Sequence, residues 1–173
     1  GGDIDTDVTP NEWIARLAAL PLIDQPGRQF HYSKSTDLLG LLIERIEDAP
    51  LADVLKRRLF DPLGMKDTGF RPAPSLRPRI APTEIDPHTG KPLRGVVHDP
   101  TSRFMGGVAG HAGLFSTASD LALYAQMMLD QGRAAGRQLF SPVAVQKFTS
   151  PETPPGQPIL RGFGWDIDSP FSS

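Results

Sequence analysis

"GRQFHYSKSTDLLGLLIERI", residues 27–46, changes character at its midpoint. Its second half carries Leu38, Leu39, Leu41, Leu42, Ile43 and Ile46. Over two turns these apolar residues cover almost the whole circumference of a helix, which predicts a central, buried element that Ser35 or Thr36 can cap. Gly40 in that interior costs about 1 kcal/mol against alanine, so a close helix approach is expected there. Just upstream, Tyr32, Ser33 and Lys34 stand in consecutive positions. In an extended segment residues i and i+2 project to one side, so Tyr32 and Lys34 are expected to face one cleft. Without a catalytic role, Tyr32 would fill core space under the helix and Lys34 would be a solvated flank.

Helical signals surround this stretch. Thr9-Pro10-Asn11-Glu12 reads as a capping box with proline at the first helical position, ahead of Trp13, Ile14, Leu17 and Leu20. Pro50 opens a third helix through Leu51, Val54, Leu55 and Leu59, which Pro62 and Gly64 are expected to break. From Arg71 to about Phe115, prolines and then glycines leave no room for long regular elements. A loop region of that length is rare unless it lines a site or lies across another lobe. Thr117-Ala118-Ser119-Asp120 is a second capping box, with Leu121, Tyr124, Ala125, Met128 and Leu129 on one face and Gly132 as a stop. Ser141-Pro142 starts a short last helix towards Phe148, and the chain ends in the aromatic, strand-like "GFGWDIDSPFSS" with no evident partner strand.

Eighteen basic against twenty acidic residues give a net charge of −2, so no basic surface for nucleic acid or anionic membrane is implied. No apolar run is long enough for a transmembrane segment. With no cysteine, disulfides, thiolate nucleophiles and cysteine-ligated zinc are excluded. With no basic region followed by an apolar stretch near its start, no signal peptide is expected within these residues. The abrupt ending suggests a single partial domain over residues 1–173, truncated within a fold.

Four histidines, at 31, 88, 98 and 111, show none of the spacings of a metal site, so no metal and no other cofactor is expected. His88-Thr89-Gly90 has the form of a substrate-orienting motif, but Pro87 and Pro92 on either side favour a tight turn. "GGVAGHAGLFST" lacks the lysine and spacing of a phosphate loop and suits a tight crossover into the next helix.

"FHYSKSTDLLGLLIERI", "LFDPLGMKDTGF" and "GGVAGHAGLFSTASDLALYAQMML", in this order and spacing, resemble the middle of a serine β-lactamase-related hydrolase. That group contains class C β-lactamases, D-alanyl-D-alanine carboxypeptidases and esterases of one fold. The resemblance covers nearly the whole chain and implies an α+β fold: the mainly helical lobe of the serine β-lactamase/DD-peptidase-like architecture, with long irregular loops and little sheet. In the family the serine of Ser-x-x-Lys attacks a carbonyl, the tyrosine of Tyr-x-Asn assists proton transfer, and Lys/His-Thr-Gly orients the substrate. Tyr32 matches that tyrosine. Lys34 stands where the family usually has asparagine; with three donors and no acceptor it can hold a substrate carbonyl but cannot pair both ways. No serine here has a lysine three residues on, so the resemblance places the nucleophile upstream of the chain and Lys/His-Thr-Gly downstream. Gly110, His111, Ala112 and Gly113 are expected to line the acyl pocket.

The implied substrate is a small molecule or a peptidoglycan-type peptide, and the implied location periplasmic or secreted. The sequence assigns no oligomeric state. The alternative is a non-catalytic binding or cap module that recognises peptidoglycan or a protein partner.

Overall fold

The computed structural model describes residues 8–32, 34–86 and 89–168. Among these residues, seven α-helical segments and three two-stranded antiparallel pairs make a helix-rich lobe with little sheet, as the resemblance implies. Helix α1 (Pro10–Ala18) starts as its capping pattern requires, with the Thr9 hydroxyl accepting from the Glu12 N–H at 3.3 Å. Helix α2 (Ser35–Glu47) begins without a side-chain cap: Lys34 holds the N-cap position in a helical conformation, so neither Ser35 nor Thr36 plays the expected role.

The larger difference concerns which face of α2 is buried. Asp37 and Gly40 are its buried residues, and Leu38, Leu39, Leu42, Ile43 and Ile46 remain exposed. The helix turns its 37/40/44 stripe inward. Asp37 meets His111, Gly40 lies against Gly110 and Leu51, and the Glu44 carboxylate accepts from the Leu51 N–H at 2.8 Å. Gly40 thus permits a close approach, but to a loop backbone rather than to a second helix. A Cβ on Gly110 would stand 1.9 Å from the Thr36 carbonyl oxygen, so the loop backbone rests directly on the first turn of α2.

Helix α3 (Leu51–Leu55) runs without a break into a π-helical turn (Lys56–Phe60) and α4 (Asp61–Leu63). Of the two residues expected to break this helix, Gly64 ends it and Pro62 does not. The wider turn accommodates the proline, with the Asp61 N–H reaching back to the Lys56 carbonyl, and Gly64 in the left-handed region closes the helix.

Strand β1 (Gly69–Phe70) pairs with β2 (Leu114–Phe115) and so pins both ends of the long irregular region. Inside it lie a 3-10 turn (Pro74–Arg79), a hairpin closed by an Ile85–Pro92 bridge, and α5 (Pro100–Phe104). The hairpin supports the turn reading around Gly90, whose N–H donates to the Asp86 carbonyl at 2.8 Å; His88 itself lies outside the described residues.

The hydrophobic core lies away from α2. It joins Phe60, Leu63 and Met65 to Met127 and Met128 of α6 (Ala118–Leu129) and Val145 of α7 (Pro142–Thr149). Tyr124 stacks on Trp165 beside it. The buried stripe of α6 runs through Asp120, Met127 and Met128, whereas Leu121 and Leu129 are exposed, so the inward face is rotated from the expected one. The capping box of α6 is half made: the Thr117 hydroxyl accepts from the Asp120 N–H, while the Asp120 carboxylate accepts from the Asp67 N–H and the Thr68 hydroxyl. It thereby ties the end of the α3–α4 segment to α6.

A short hairpin of β3 (Arg133–Ala134) and β4 (Arg137–Gln138) follows α6. The terminal segment has a partner after all, since β6 (Asp166–Asp168) pairs with β5 (Leu160–Arg161).

Gly110→Ala should lower stability by about 1–3 kcal/mol or more, since the added methyl overlaps backbone that cannot rotate away. Gly69→Ala, where an added Cβ meets nothing within 4 Å, should stay within about 0.5 kcal/mol of the parent. Urea midpoints for the two variants check the contrast.

Candidate active site

The polar cluster of interest is built where three short segments meet: the start of α2, the cap of α5 and the 109–113 loop. Asp37, one turn into α2, is 2% exposed. Burial of a carboxylate on that scale demands partners. His111 supplies them: its ring Nδ1 lies 2.6 Å from Asp37 Oδ1, and its backbone N–H donates to the same oxygen at 3.3 Å. The other ring nitrogen, Nε2, lies 2.9 Å from Asp99 Oδ1.

Asp99 also caps α5 by accepting from the Ser102 N–H at 2.8 Å. Ser102 is completely buried, and its hydroxyl donates to the Ala112 carbonyl at 3.0 Å, which fastens the glycine loop a second time. So placed, the Ser102 hydroxyl is enclosed by the protein. One residue before it, the Thr101 hydroxyl accepts from Lys34 Nζ at 3.2 Å.

The electrostatics follow from this geometry. Burial disfavours the charged form of His111, but hydrogen bonds to Asp37 and Asp99 and their negative charges outweigh it and hold the imidazole above its ordinary value of 6.5. For Asp99, burial pushes the carboxyl upward; the Ser102 N–H, His111 and the charge of Lys34 overcome it and bring it below 3.8.

The residues singled out in the sequence are only partly brought together. Lys34 is half-buried against Thr101, not a solvated flank, and its helical backbone removes the extended geometry from which a shared orientation with Tyr32 was expected. Tyr32 is 79% exposed, so it fills no core space. Gly110, His111, Ala112 and Gly113 line an open, mainly apolar groove of about 620 Å³ with Leu39, Ile43 and Phe70; Tyr32 and Lys34 are not among its lining residues.

Asp37 and Ser102 escaped the sequence reading, and Asp99 entered it only beside His98 and His111, as a set that matches no metal-ligand pattern. A lone aspartate inside an otherwise apolar helical run was the available signal for Asp37, because it needs a partner wherever the helix packs. His98 pairs with Glu84 at 2.9 Å. Among the described residues no group of three or more histidines and carboxylates is arranged to hold a metal ion.

Ser102→Ala should cost about 1–3 kcal/mol by leaving the Ala112 carbonyl without its donor in a part-buried site. The fall in urea midpoint measures it.

A family model described as Beta-lactamase matches residues 1–173. The chain is 36% identical over 172 residues to a Salmonella enteritidis protein named "Putative D-alanyl-D-alanine carboxypeptidase", a match covering 90% of this chain and 39% of that protein. It is 35% identical over 137 residues to "Protein Rv1367c" of Mycobacterium tuberculosis, covering 79% of this chain and 34% of the relative. The chain therefore spans little more than a third of the length of these relatives. Among solved structures, a beta-lactamase/D-alanine carboxypeptidase from Pseudomonas syringae superposes with a TM-score of 0.69 at 18% identity, over 95% of this chain and 44% of that one, a likeness of fold. With the helical lobe and the quoted segments in place, the match over all 173 residues identifies the chain as a member of the beta-lactamase family.

Proposed function

We propose that this chain carries part of the acyl-transfer site of a serine hydrolase that cleaves an amide or ester, the nucleophilic serine being supplied by a Ser-x-x-Lys segment outside these residues. Family membership and the Tyr32-Ser33-Lys34 pattern support the reading. The observation that carries it is the contrast between the two flanking side chains: an exposed phenol, Tyr32, with no packing role, beside a lysine anchored by Thr101.

Tyr32 assists proton transfer between the attacking serine and the leaving group. A phenol serves as a base only where nearby cations stabilise its phenolate, and the lysine of Ser-x-x-Lys would supply that charge. Lys34 directs its ammonium at the substrate carbonyl. The groove lined by Gly110 to Gly113 takes the acyl group. The carboxypeptidase name carried by a relative supports a D-Ala-D-Ala or other peptidoglycan-type substrate, and with it a periplasmic or secreted location. No helix among the described residues is long and apolar enough to cross a membrane.

On its own this chain should form no adduct with a fluorescent penicillin by intact-mass analysis, because it has no serine paired with a lysine three residues on. A longer form that includes Ser-x-x-Lys should label. In that form Tyr32→Phe should slow turnover by about 10²- to 10⁴-fold, the usual worth of general acid–base catalysis. Because the phenol is exposed, thermal stability should change by less than about 0.5 kcal/mol. Lys34→Ala should also impair turnover. A stable, fully active Tyr32→Phe enzyme would rule out the catalytic assignment.

A further inference from the structure

The polar cluster under the glycine loop has a charge balance that its geometry makes testable. Both ring nitrogens of His111 face carboxylate oxygens, Asp37 at 2.6 Å and Asp99 at 2.9 Å. An ionised carboxylate only accepts, and a neutral imidazole has a single N–H. With both carboxylates ionised, the two contacts are satisfied together by an imidazolium. The charged groups around it are Asp37 from α2, Asp99 at the head of α5, and Lys34, whose charge acts on Asp99 and whose ammonium donates to Thr101, two residues beyond Asp99. Glu84, His98 and Arg103 form a neighbouring group of their own, with His98 on Glu84 and Arg103 donating to the His98 carbonyl.

The imidazolium thus faces two carboxylates, and one of them, Asp99, heads the short helix whose Thr101 holds the Lys34 ammonium. If His111 loses its proton, a ring lone pair confronts one carboxylate. Asp99 is then left to Lys34, the other cation within its influence. The loop loses its charged attachment at the same moment, although Ser102 still holds Ala112.

We propose that His111 is a positioning residue for Lys34: clamped between Asp37 and Asp99, it fastens the 109–113 loop to the first turn of α2 and occupies the Asp99 carboxylate that would otherwise draw the Lys34 ammonium from Thr101. The inference rests on the assignment of Lys34 to the substrate site, but its structural half is measurable without catalysis.

The sign of the pH dependence follows from the two shifts. His111 is raised, so its contribution to stability is complete below about 6.5 and is lost as pH rises through its folded value. Asp99 is lowered, so its contribution is present above 3.8 and is lost as pH falls through its folded value. The clamp is strongest between these limits and opens on the alkaline side.

Nitrogen NMR of the imidazoles in this chain, with His111 assigned by comparison with His111→Gln, tests the clamp. Both His111 ring nitrogens should remain protonated above pH 6.5. Asp37→Asn should move the midpoint downward, as the removal of a facing charge requires. The Lys34 side-chain signals should shift with the His111 midpoint in the parent chain and lose that transition in His111→Gln. A singly protonated His111 at pH 6.5, or a Lys34 signal indifferent to the His111 transition, overturns the proposal. The parent titration needs no variant to fold.

In a form that includes Ser-x-x-Lys, penicillin acylation should decline on the alkaline side with the His111 midpoint, and His111→Gln should abolish that limb while Tyr32 is intact. If no form acylates but Lys34 still follows His111, the hydrolase reading fails and the clamp stands. Acylation whose alkaline limb is unchanged by His111→Gln sinks the positioning role alone.

Discussion

One buried contact organises the functional end of this lobe: the Asp37 carboxylate against the His111 imidazole, made possible by a glycine backbone lying on the first turn of α2. An aspartate 2% exposed is tolerable only with a charged or hydrogen-bonded partner at close range. His111 reaches it because Gly110 has no side chain; a Cβ there would meet the Thr36 carbonyl at 1.9 Å. Steric fit and charge pairing thus depend on one another. Loosen the loop and Asp37 loses its partner; remove the imidazole and the close backbone contact has no electrostatic counterpart to hold it.

From that contact the long irregular region takes its shape. Its ends are joined by the β1–β2 pair, and its interior returns to α2 through α5, whose cap Asp99 holds the far side of the same imidazole. Ser102 connects cap and loop through two hydrogen bonds, one at its backbone and one at its hydroxyl. A segment rich in proline and glycine is kept in one arrangement by a few buried polar contacts where a continuous apolar core is lacking. The apolar core itself belongs to the other half of the molecule, where Phe60 and Leu63 meet Met127, Met128 and Val145.

Lysine at position 34, in place of the asparagine that the resemblance leads one to expect, changes the electrostatics of the proposed site. An asparagine there would present a donor and an acceptor and no charge. Lysine brings a cation whose charge acts on Asp99, the carboxylate that also faces the His111 ring, proposed above to be a second cation. The arrangement is close to neutral only when both cations are present, which couples a lysine assigned to substrate binding to a histidine in the loop behind it.

By itself the sequence determined the elements whose signals are local. The starts of α1, α6 and α7, each with a Thr or Ser cap, the irregular stretch from Arg71 to Phe115, and the family are legible from capping residues, proline and glycine spacing and ordered motifs. These depend on residues within a turn or two of one another. Tertiary structure alone decided which faces are inside. The α2 sequence is apolar nearly all round, so its periodicity has no preferred direction; the inward stripe became Asp37 and Gly40, because the glycine loop and Leu51 are the neighbours that meet it. The rotation of the α6 face and the passage of the third helix through Pro62 have the same origin. Each is settled by a contact with chain remote in sequence or by a backbone adjustment that no residue type prescribes. The site follows this division: Tyr32, Lys34 and His111 stand out as residues, but Asp37 and Asp99, separated by the rest of α2, the α3–α4 segment and the first part of the irregular region, converge on one imidazole only once the chain has folded back.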